Sequence, residues 1–241
     1  MKGSSAIVTG AGRGIGRAAM AMLVKEGLKV AAVSRSREAL EAAVRDLGLE
    51  DGTQVAIIPS DLSEEEGAVK AVSQAVKRLG HVDYLINCAG VSQRESCEIT
   101  QISRQEFERI MNTNLNSVLY MCREFLKYAD SGYIINILST AAYDTGAGGI
   151  MYSASKYAAR SVTEGLAKSL KGTGVRITSV SPGPVNTDIW SHKAAPVPEE
   201  RKAKMLKPED IADIMKFLLN TDDNVQIHDI KVEPWFYRKN A

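Results

Sequence analysis

The chain has 241 residues, with 30 basic against 29 acidic side chains. That near-cancellation argues against an extended basic footprint for nucleic acid or for an anionic membrane surface. The length fits one α/β domain or at most two small ones, and 44% hydrophobic residues is an ordinary globular value. Cys88, Cys97 and Cys122 are odd in number and widely spaced, with no CxxC pair, and His81, His192 and His228 do not cluster with them. Neither a disulfide framework nor a metal site is expected. Met1-Lys2-Gly3-Ser4-Ser5 leads into only a short apolar run, so no signal peptide is expected. No apolar stretch approaches the ~18 residues of a membrane span. The cytoplasm is the expected compartment.

The elements follow in chain order. Ala6–Thr9 reads as a short strand, followed by glycines and a helix to about Glu26, with Gly27 as its C′ residue. Lys29–Ser34 is a second strand, Ser36–Leu47 a helix and Gln54–Ser60 a third strand. Ser63-Glu-Glu-Glu66 has the form of a capping box opening a helix to about Leu79. Val82–Asn87 is a fourth strand. Ser103-Arg-Gln-Glu106 is a second box, opening a long helix to about Tyr128. Tyr133–Leu138 is a fifth strand, Tyr152–Lys171 a helix and Val175–Val180 a sixth strand. Pro208 at N1 opens another helix, and Ile227–Val232 is the last strand. The strands are apolar runs rather than alternations, the pattern of strands buried on both faces. The expected fold is therefore α/β: a Rossmann-type, doubly wound parallel sheet of about seven strands, with helices on both faces, in a single domain spanning 1–241. The stretch around 188–205 reads as a mobile substrate loop.

Between the first strand and first helix lies Thr9-Gly-Ala-Gly-Arg-Gly-Ile-Gly16. Its spacing is G-x3-G-x-G, because Ile15 stands where GxGxxG has its last glycine. The physical need is the same: backbone must approach a pyrophosphate closely, and a helix N-terminus must point at it. The second strand ends in Ser34-Arg35-Ser36-Arg37. A carboxylate there would accept from a ribose 2′-hydroxyl; none is present. Arg35, with Arg13 from the glycine turn, could instead pair with a 2′-phosphate, for which guanidinium is suited. The plainer alternative is two solvated surface arginines.

Tyr152-Ser-Ala-Ser-Lys156 places a phenol and an ammonium four residues apart, on one helix face. A phenol titrates near pH ~10, and a nearby cation favours phenolate. Tyr152 could then exchange a proton with a carbonyl or alcohol oxygen. Ser139, just past the fifth strand, could hydrogen-bond the same oxygen.

With these motifs in this order, the chain from Ser5 to about Asp188 resembles the classical short-chain dehydrogenases/reductases. The glycine motif is matched by Thr9, Gly10, Gly14 and Gly16, and its surround by Gly12, Arg13 and Ile15. The acid after the third strand is matched by Asp61 with Leu62, and the Asn-Asn-Ala-Gly segment by Asn87, Cys88, Ala89 and Gly90. Asn114, Ser139, Tyr152 and Lys156 match the catalytic set. Pro182-Gly183-Pro-Val185-Asn-Thr187 matches the segment after the sixth strand. The resemblance implies that Tyr152 is the general acid/base. Lys156 lowers its pKa and holds the nicotinamide ribose, Ser139 polarises the carbonyl, and Asn114 anchors a water. Ser34 and Arg35 complete the NADP(H) site, and Thr187 meets the nicotinamide end. No metal is implied. Dimers or tetramers are implied, through the helices near 103–128 and 152–171.

Plainer roles stand beside these. Asn114 could cap or kink its helix, and Asp61 could be a helix-start residue. Ser153 and Ser155 read as helix surface or coenzyme-side packing. Tyr143 and Trp190 could line a substrate pocket or pack a loop, and His192 reads as solvated. Cys88 departs from the second asparagine of its segment, and Leu138 from a frequent serine. The end, Ile230-Lys-Val-Glu-Pro-Trp-Phe, lacks the Asp-Gly-Gly of 3-oxoacyl-acyl carrier protein reductases. It resembles the branch containing 3-hydroxy acid dehydrogenases and clavulanic acid dehydrogenase. The expected function is reversible hydride transfer between NADP(H) and a small carbonyl or alcohol, that is, a carbonyl reductase. Reduction of 3-oxoacyl thioesters is an alternative, and a non-catalytic NADPH-binding redox sensor is an alternative of another class. Neither nucleic acid nor membrane is an expected partner.

Overall fold

The computed structural model describes residues 3–94, 98–146, 149–191 and 197–236. Its frame is a sheet of strands β1 (Ser5–Thr9), β2 (Lys29–Ser34), β3 (Val55–Pro59), β4 (Tyr84–Asn87), β5 (Ser131–Ile137), β6 (Gly174–Pro182) and β7 (Asp229–Val232). The order is β3-β2-β1-β4-β5-β6-β7, and every pairing is parallel. The winding reverses between β1 and β4, which makes the sheet doubly wound as expected.

Apolar strands need a cover on both faces, and they have one. Ala6 and Val8 of β1 face Met20 and Leu23 of α1 (Gly14–Lys25), Leu40 of α2 (Arg37–Arg45) and Met215 of α8 (Pro208–Leu219). Ile7 faces the other way, onto Val72 of α3 (Glu65–Leu79) and Phe125 of α5 (Ser117–Phe125), a layer completed by α6 (Ile150–Ser169). Two short helices, α4 (Arg104–Met111) and α7 (Glu199–Lys202), lie outside these layers' sequence runs. Leu23, Ile7 and Phe125 are fully buried, each worth ~1.5–3 kcal/mol of transfer free energy.

Several boundaries follow the local signals. Gly27 has φ +85° after α1. Ser36 caps α2 by accepting from Ala39 N at 3.1 Å, Ser103 caps α4 by accepting from Glu106 N at 3.1 Å, and Pro208 opens α8.

Three expectations are corrected. The Ser63 capping box does not form: α3 begins at Glu65 with Glu64 at the N-cap and no side-chain cap. Ser63 instead gives its hydroxyl (2.8 Å) and its N–H (3.0 Å) to Asp61 Oδ1, because a carboxylate two residues back is the stronger local acceptor. The long helix from Ser103 to Tyr128 is divided into α4, a π turn over Asn112–Asn116 and α5, which ends at Phe125. The last strand begins at Asp229 rather than Ile227, whose carbonyl accepts from the Thr178 hydroxyl. Cys97, His192 and the first two residues lie outside the described residues. Among those described, no helix is long and apolar enough to cross a membrane.

Candidate active site

Parallel strands bring their carboxyl ends to one edge of the sheet, and the reversal between β1 and β4 opens a crevice there. β1 runs into the glycine turn. Gly14 has φ +53°, a left-handed conformation favouring glycine. A Cβ on Gly16 would stand 2.3 Å from Gly10 O, so only glycine allows the turn to fold onto the start of α1. Arg13 is the N-cap of α1, yet no side chain caps this terminus, and its first turn holds no acidic residue. The positive end of the helix dipole is left facing outward, which suits a pyrophosphate. The glycine turn therefore fits a dinucleotide by its own geometry.

Gly12 packs beside β2's end, where an added Cβ would come 3.1 Å from Ala39 Cβ and 3.4 Å from Ser34 Oγ. Ser34 Oγ donates to Ser36 O at 3.2 Å. Arg13 and Arg35 are both exposed, and neither makes an ion pair with a described residue, whereas neighbouring Arg37 is drawn to Glu41 at 3.4 Å. Asp61 is exposed past β3, with both its bonds to Ser63 on Oδ1. Leu62 beneath it is buried.

Thr9 Oγ1 accepts from Cys88 N and Ala89 N, both at 3.0 Å, locking the end of β1 to that of β4. Asn87 is buried and donates to Asn136 Oδ1 at 2.9 Å. Gly90 leaves room between Asn114 Oδ1 and Lys156 Nζ, which an added Cβ would approach at 3.4 and 3.7 Å.

Asn114 sits in the π turn and is buried. It accepts from Val91 N (2.8 Å), donates to Val91 O (2.9 Å) and donates to Ser155 Oγ (3.0 Å). Ser155 passes the chain on by donating to Tyr152 O at 2.6 Å. Ser153 and Ser155 are thus not helix surface. Both are buried, because α6 packs against the π turn and against the 3₁₀ turn Thr140–Ala142.

Ser139 caps that 3₁₀ turn, accepting from Ala141 N at 3.1 Å, and lines the same cleft as the Tyr152 phenol. Burial pushes the Tyr152 pKa up, and the Ser139 hydroxyl opposes it. Lys156 Nζ lies 5.8 Å from the Tyr152 ring centroid and donates to Ile137 O at 3.1 Å. Burial brings its pKa down to about 8. Cys88 is its neighbour, with a thiol pushed up to about 12 by burial.

These groups open onto one cleft of about 1220 Å³. Ile15, Gly90, Ser139, Tyr152, Lys156, Pro182, Gly183, Val185 and Thr187 line it, while Arg13, Ser34, Arg35 and Asp61 lie beyond it at the ends of β1–β3. The segment after β6 closes on the glycine turn: the Thr187 methyl would lie 3.2 Å from a Cβ on Gly14. Gly183 N donates to Val232 O at 2.7 Å, tying that segment to β7. Tyr143 and Trp190 line the cleft, and Trp190 Nε1 donates to Val185 O at 2.7 Å.

Sequence reasoning missed two features. One is the Asn114–Ser155 bond, which joins residues 41 apart that share no motif. The other is the contribution of Lys231, Glu233 and Pro234 to the cleft. Their only signal was position, at the carboxyl end of the last strand.

Comparison with known proteins agrees with this geometry. The family model described as short chain dehydrogenase matches residues 4–197. An uncharacterized oxidoreductase of Staphylococcus aureus strain USA300 is 35% identical over 232 residues, 95% of this chain and 96% of that protein. The alcohol dehydrogenase of the archaeon Thermococcus sibiricus, complexed with 5-hydroxy-NADP, superposes with a TM-score of 0.86 at 26% identity, covering 99% of both chains. The 3-ketoacyl-(acyl-carrier-protein) reductase of Brucella melitensis, complexed with NADH, gives 0.87 at 26% identity, over 97% of this chain and 98% of that one. The chain belongs to the short-chain dehydrogenase family of oxidoreductases.

Proposed function

We propose that the whole chain forms one catalytic domain that transfers hydride reversibly between NADP(H) and a carbonyl or alcohol carbon. The observation that carries this is the Tyr152 phenol, sharing with Ser139, and with Lys156 one helical turn on, a cleft that Ile15 of the glycine turn also lines. Gly10, Gly12, Gly14, Ile15 and Gly16 would hold the pyrophosphate and its approach. Asp61 and Leu62 would hold the adenine side, and Asn87, Ala89 and Gly90 the floor between. Pro182, Gly183, Val185 and Thr187 would hold the nicotinamide end. The coenzyme supplies the hydride when bound. Tyr152 gives or takes the proton at the substrate oxygen, and Ser139 donates to that same oxygen. Lys156 sits where its charge acts on the phenol once the cleft is filled and water is excluded. Asn114 holds the Gly90–Val91 backbone and α6 in register for both.

Preference for NADP(H) rests on this chain's own residues, since one compared structure holds 5-hydroxy-NADP and the other NADH. Arg13 and Arg35 are exposed guanidinium groups where a 2′-phosphate would lie, with no carboxylate at the end of β2. The parent enzyme should show a higher kcat/KM with NADPH than with NADH, and Arg35→Asp should move the preference toward NADH. Comparable values in the parent would overturn the assignment. A panel of ketones and aldehydes, followed by coenzyme absorbance, tests the reaction itself. Acetoacetyl thioesters in that panel test the 3-oxoacyl alternative, which the likeness to the Brucella reductase favours. Retention of Tyr152 and Lys156 argues against a non-catalytic sensor. Self-association as a dimer or tetramer would use α4–α6, where Phe107, Leu119 and Tyr157 are exposed; light scattering on the purified protein measures it.

A further inference from the structure

Besides Lys156, the cations Arg94, Arg201 and Lys231 line the cleft, and the proposed chemistry uses none of the three. Lys231 lies on β7, lines the cleft and is exposed to it. Its ammonium stands 4.7 Å from the centroid of the Tyr143 ring, a cation–π contact that fixes where the charge sits. Tyr143 itself is anchored between Ser139 and Tyr152 in the chain, so this platform belongs to the reacting centre's own loop. Arg160 shares the ring at 4.0 Å, but its charge is answered by Glu164 at 2.7 Å. Lys231 has no such answer: no carboxylate of a described residue pairs with it. Asp229, two residues earlier and on the same face of β7, spends its Oδ1 on Ser179 (2.5 Å) and Ser181 (2.9 Å). Glu233 also lines the cleft without approaching Lys231 to ion-pair distance.

Coenzyme phosphate does not account for this charge. The pyrophosphate turn follows β1, and the candidate 2′-phosphate arginine follows β2. β7 lies four and five strands away from them, roughly 19 and 24 Å at the usual strand spacing. An ammonium on the cleft wall, seated on an aromatic face and away from the coenzyme phosphates, is placed to receive negative charge on the other ligand.

We propose that Lys231, seated on the Tyr143 ring, is a specificity residue that binds a carboxylate on the substrate, so that the carbonyl compound reduced is an oxo acid. This rests on the oxidoreductase reading above and deepens it. The test uses straight-chain oxo acids with the carbonyl stepped along the chain, each beside its methyl ester, with NADPH as the coenzyme. At the best carbonyl position the acid should exceed its ester in kcat/KM by about 10- to 100-fold, the range of a charge-assisted hydrogen bond. Lys231→Met should reduce that acid-to-ester ratio at least tenfold, chiefly through KM, and Lys231→Arg should keep most of it. An unchanged ratio in Lys231→Met, or a parent that prefers the ester, would overturn the proposal. Should the parent reduce no carbonyl at all, the reaction assignment falls separately. Calorimetric titration of the same acids into NADPH-saturated protein then decides the subsite: binding lost in Lys231→Met supports it, and equal binding overturns it.

Discussion

Replacing Lys156 by methionine should make the protein more stable while abolishing its chemistry. Lys156 is 5% exposed, and among the described residues its hydrogen bond goes to Ile137 O at 3.1 Å. Burial brings its pKa from 10.5 to about 8, a difference that corresponds to ~3 kcal/mol of penalty on the charged form. Methionine has similar volume and no charge. It removes that penalty and forfeits one hydrogen bond of about 1 kcal/mol, a net gain of ~2 kcal/mol. For a chain of this size that raises Tm by about 4–8 °C. The pH dependence follows from linkage. Below the folded value of about 8 both states of the parent carry the proton, and the full penalty is present. Between about 8 and 10.5 the unfolded chain holds more protons than the folded one, so parent stability rises with pH. The advantage of Lys156→Met is therefore complete at neutral pH and fades as pH passes through that window. Scanning calorimetry of nucleotide-stripped parent and variant across this range measures it, with carbonyl reduction assayed beside it. A variant less stable than the parent at neutral pH, or a gain undiminished above the window, would refute the reasoning.

Two further substitutions test the same cleft. Tyr152→Phe should lower kcat by about 10²-fold or more, the size of a general acid/base effect, with Tm little changed; an unimpaired variant would remove Tyr152 from the chemistry. Asn114→Ala loses three hydrogen bonds of 2.8–3.0 Å, ~3 kcal/mol in all, so Tm should fall by about 6–12 °C. Ser155→Ala, which shares one of those bonds, should fall less, and equal Tm values for parent and Asn114→Ala would deny the strut.

The sheet was legible because its strands carry their burial in composition: Lys29–Ser34 reads KVAAVS and is β2 from end to end. The glycine turn and the Tyr152–Lys156 pair were legible because each is local, set by a chain direction or one helical turn. What the sequence did not disclose depends on contacts between distant segments. Nothing near Ser63 announces that Asp61 will take its hydroxyl. Nothing in the apolar pattern of 103–128 marks a π turn, because its cause lies at Val91, 23 residues upstream of Asn114. Lys231 looks like any strand-end lysine until the sheet order puts β7 beside β6 and Tyr143 beneath its ammonium.

These failures of local reasoning are not scattered. Ser153 and Lys156 line one cleft, and the π turn and Ser155 stand behind it, bonded to its Val91 wall and to each other, where function is expected to override local preference. They differ in sign. A π turn interrupts good helix geometry and recurs at functional sites; here Asn114 offsets it with three bonds that hold the Gly90–Val91 segment against α6. Lys156 has no comparable compensation within the chain, having one carbonyl for a buried ammonium. The first is support and the second is cost. That is why truncating Asn114 should loosen the fold while neutralising Lys156 should tighten it, although both should impair catalysis. A cleft carrying an uncompensated ammonium at Lys156, and an unpaired one at Lys231, is electrostatically incomplete until anionic or electron-rich ligands enter it. Binding should therefore stabilise the protein more at neutral pH than above the titration of Lys156, where its charge is gone in the folded state.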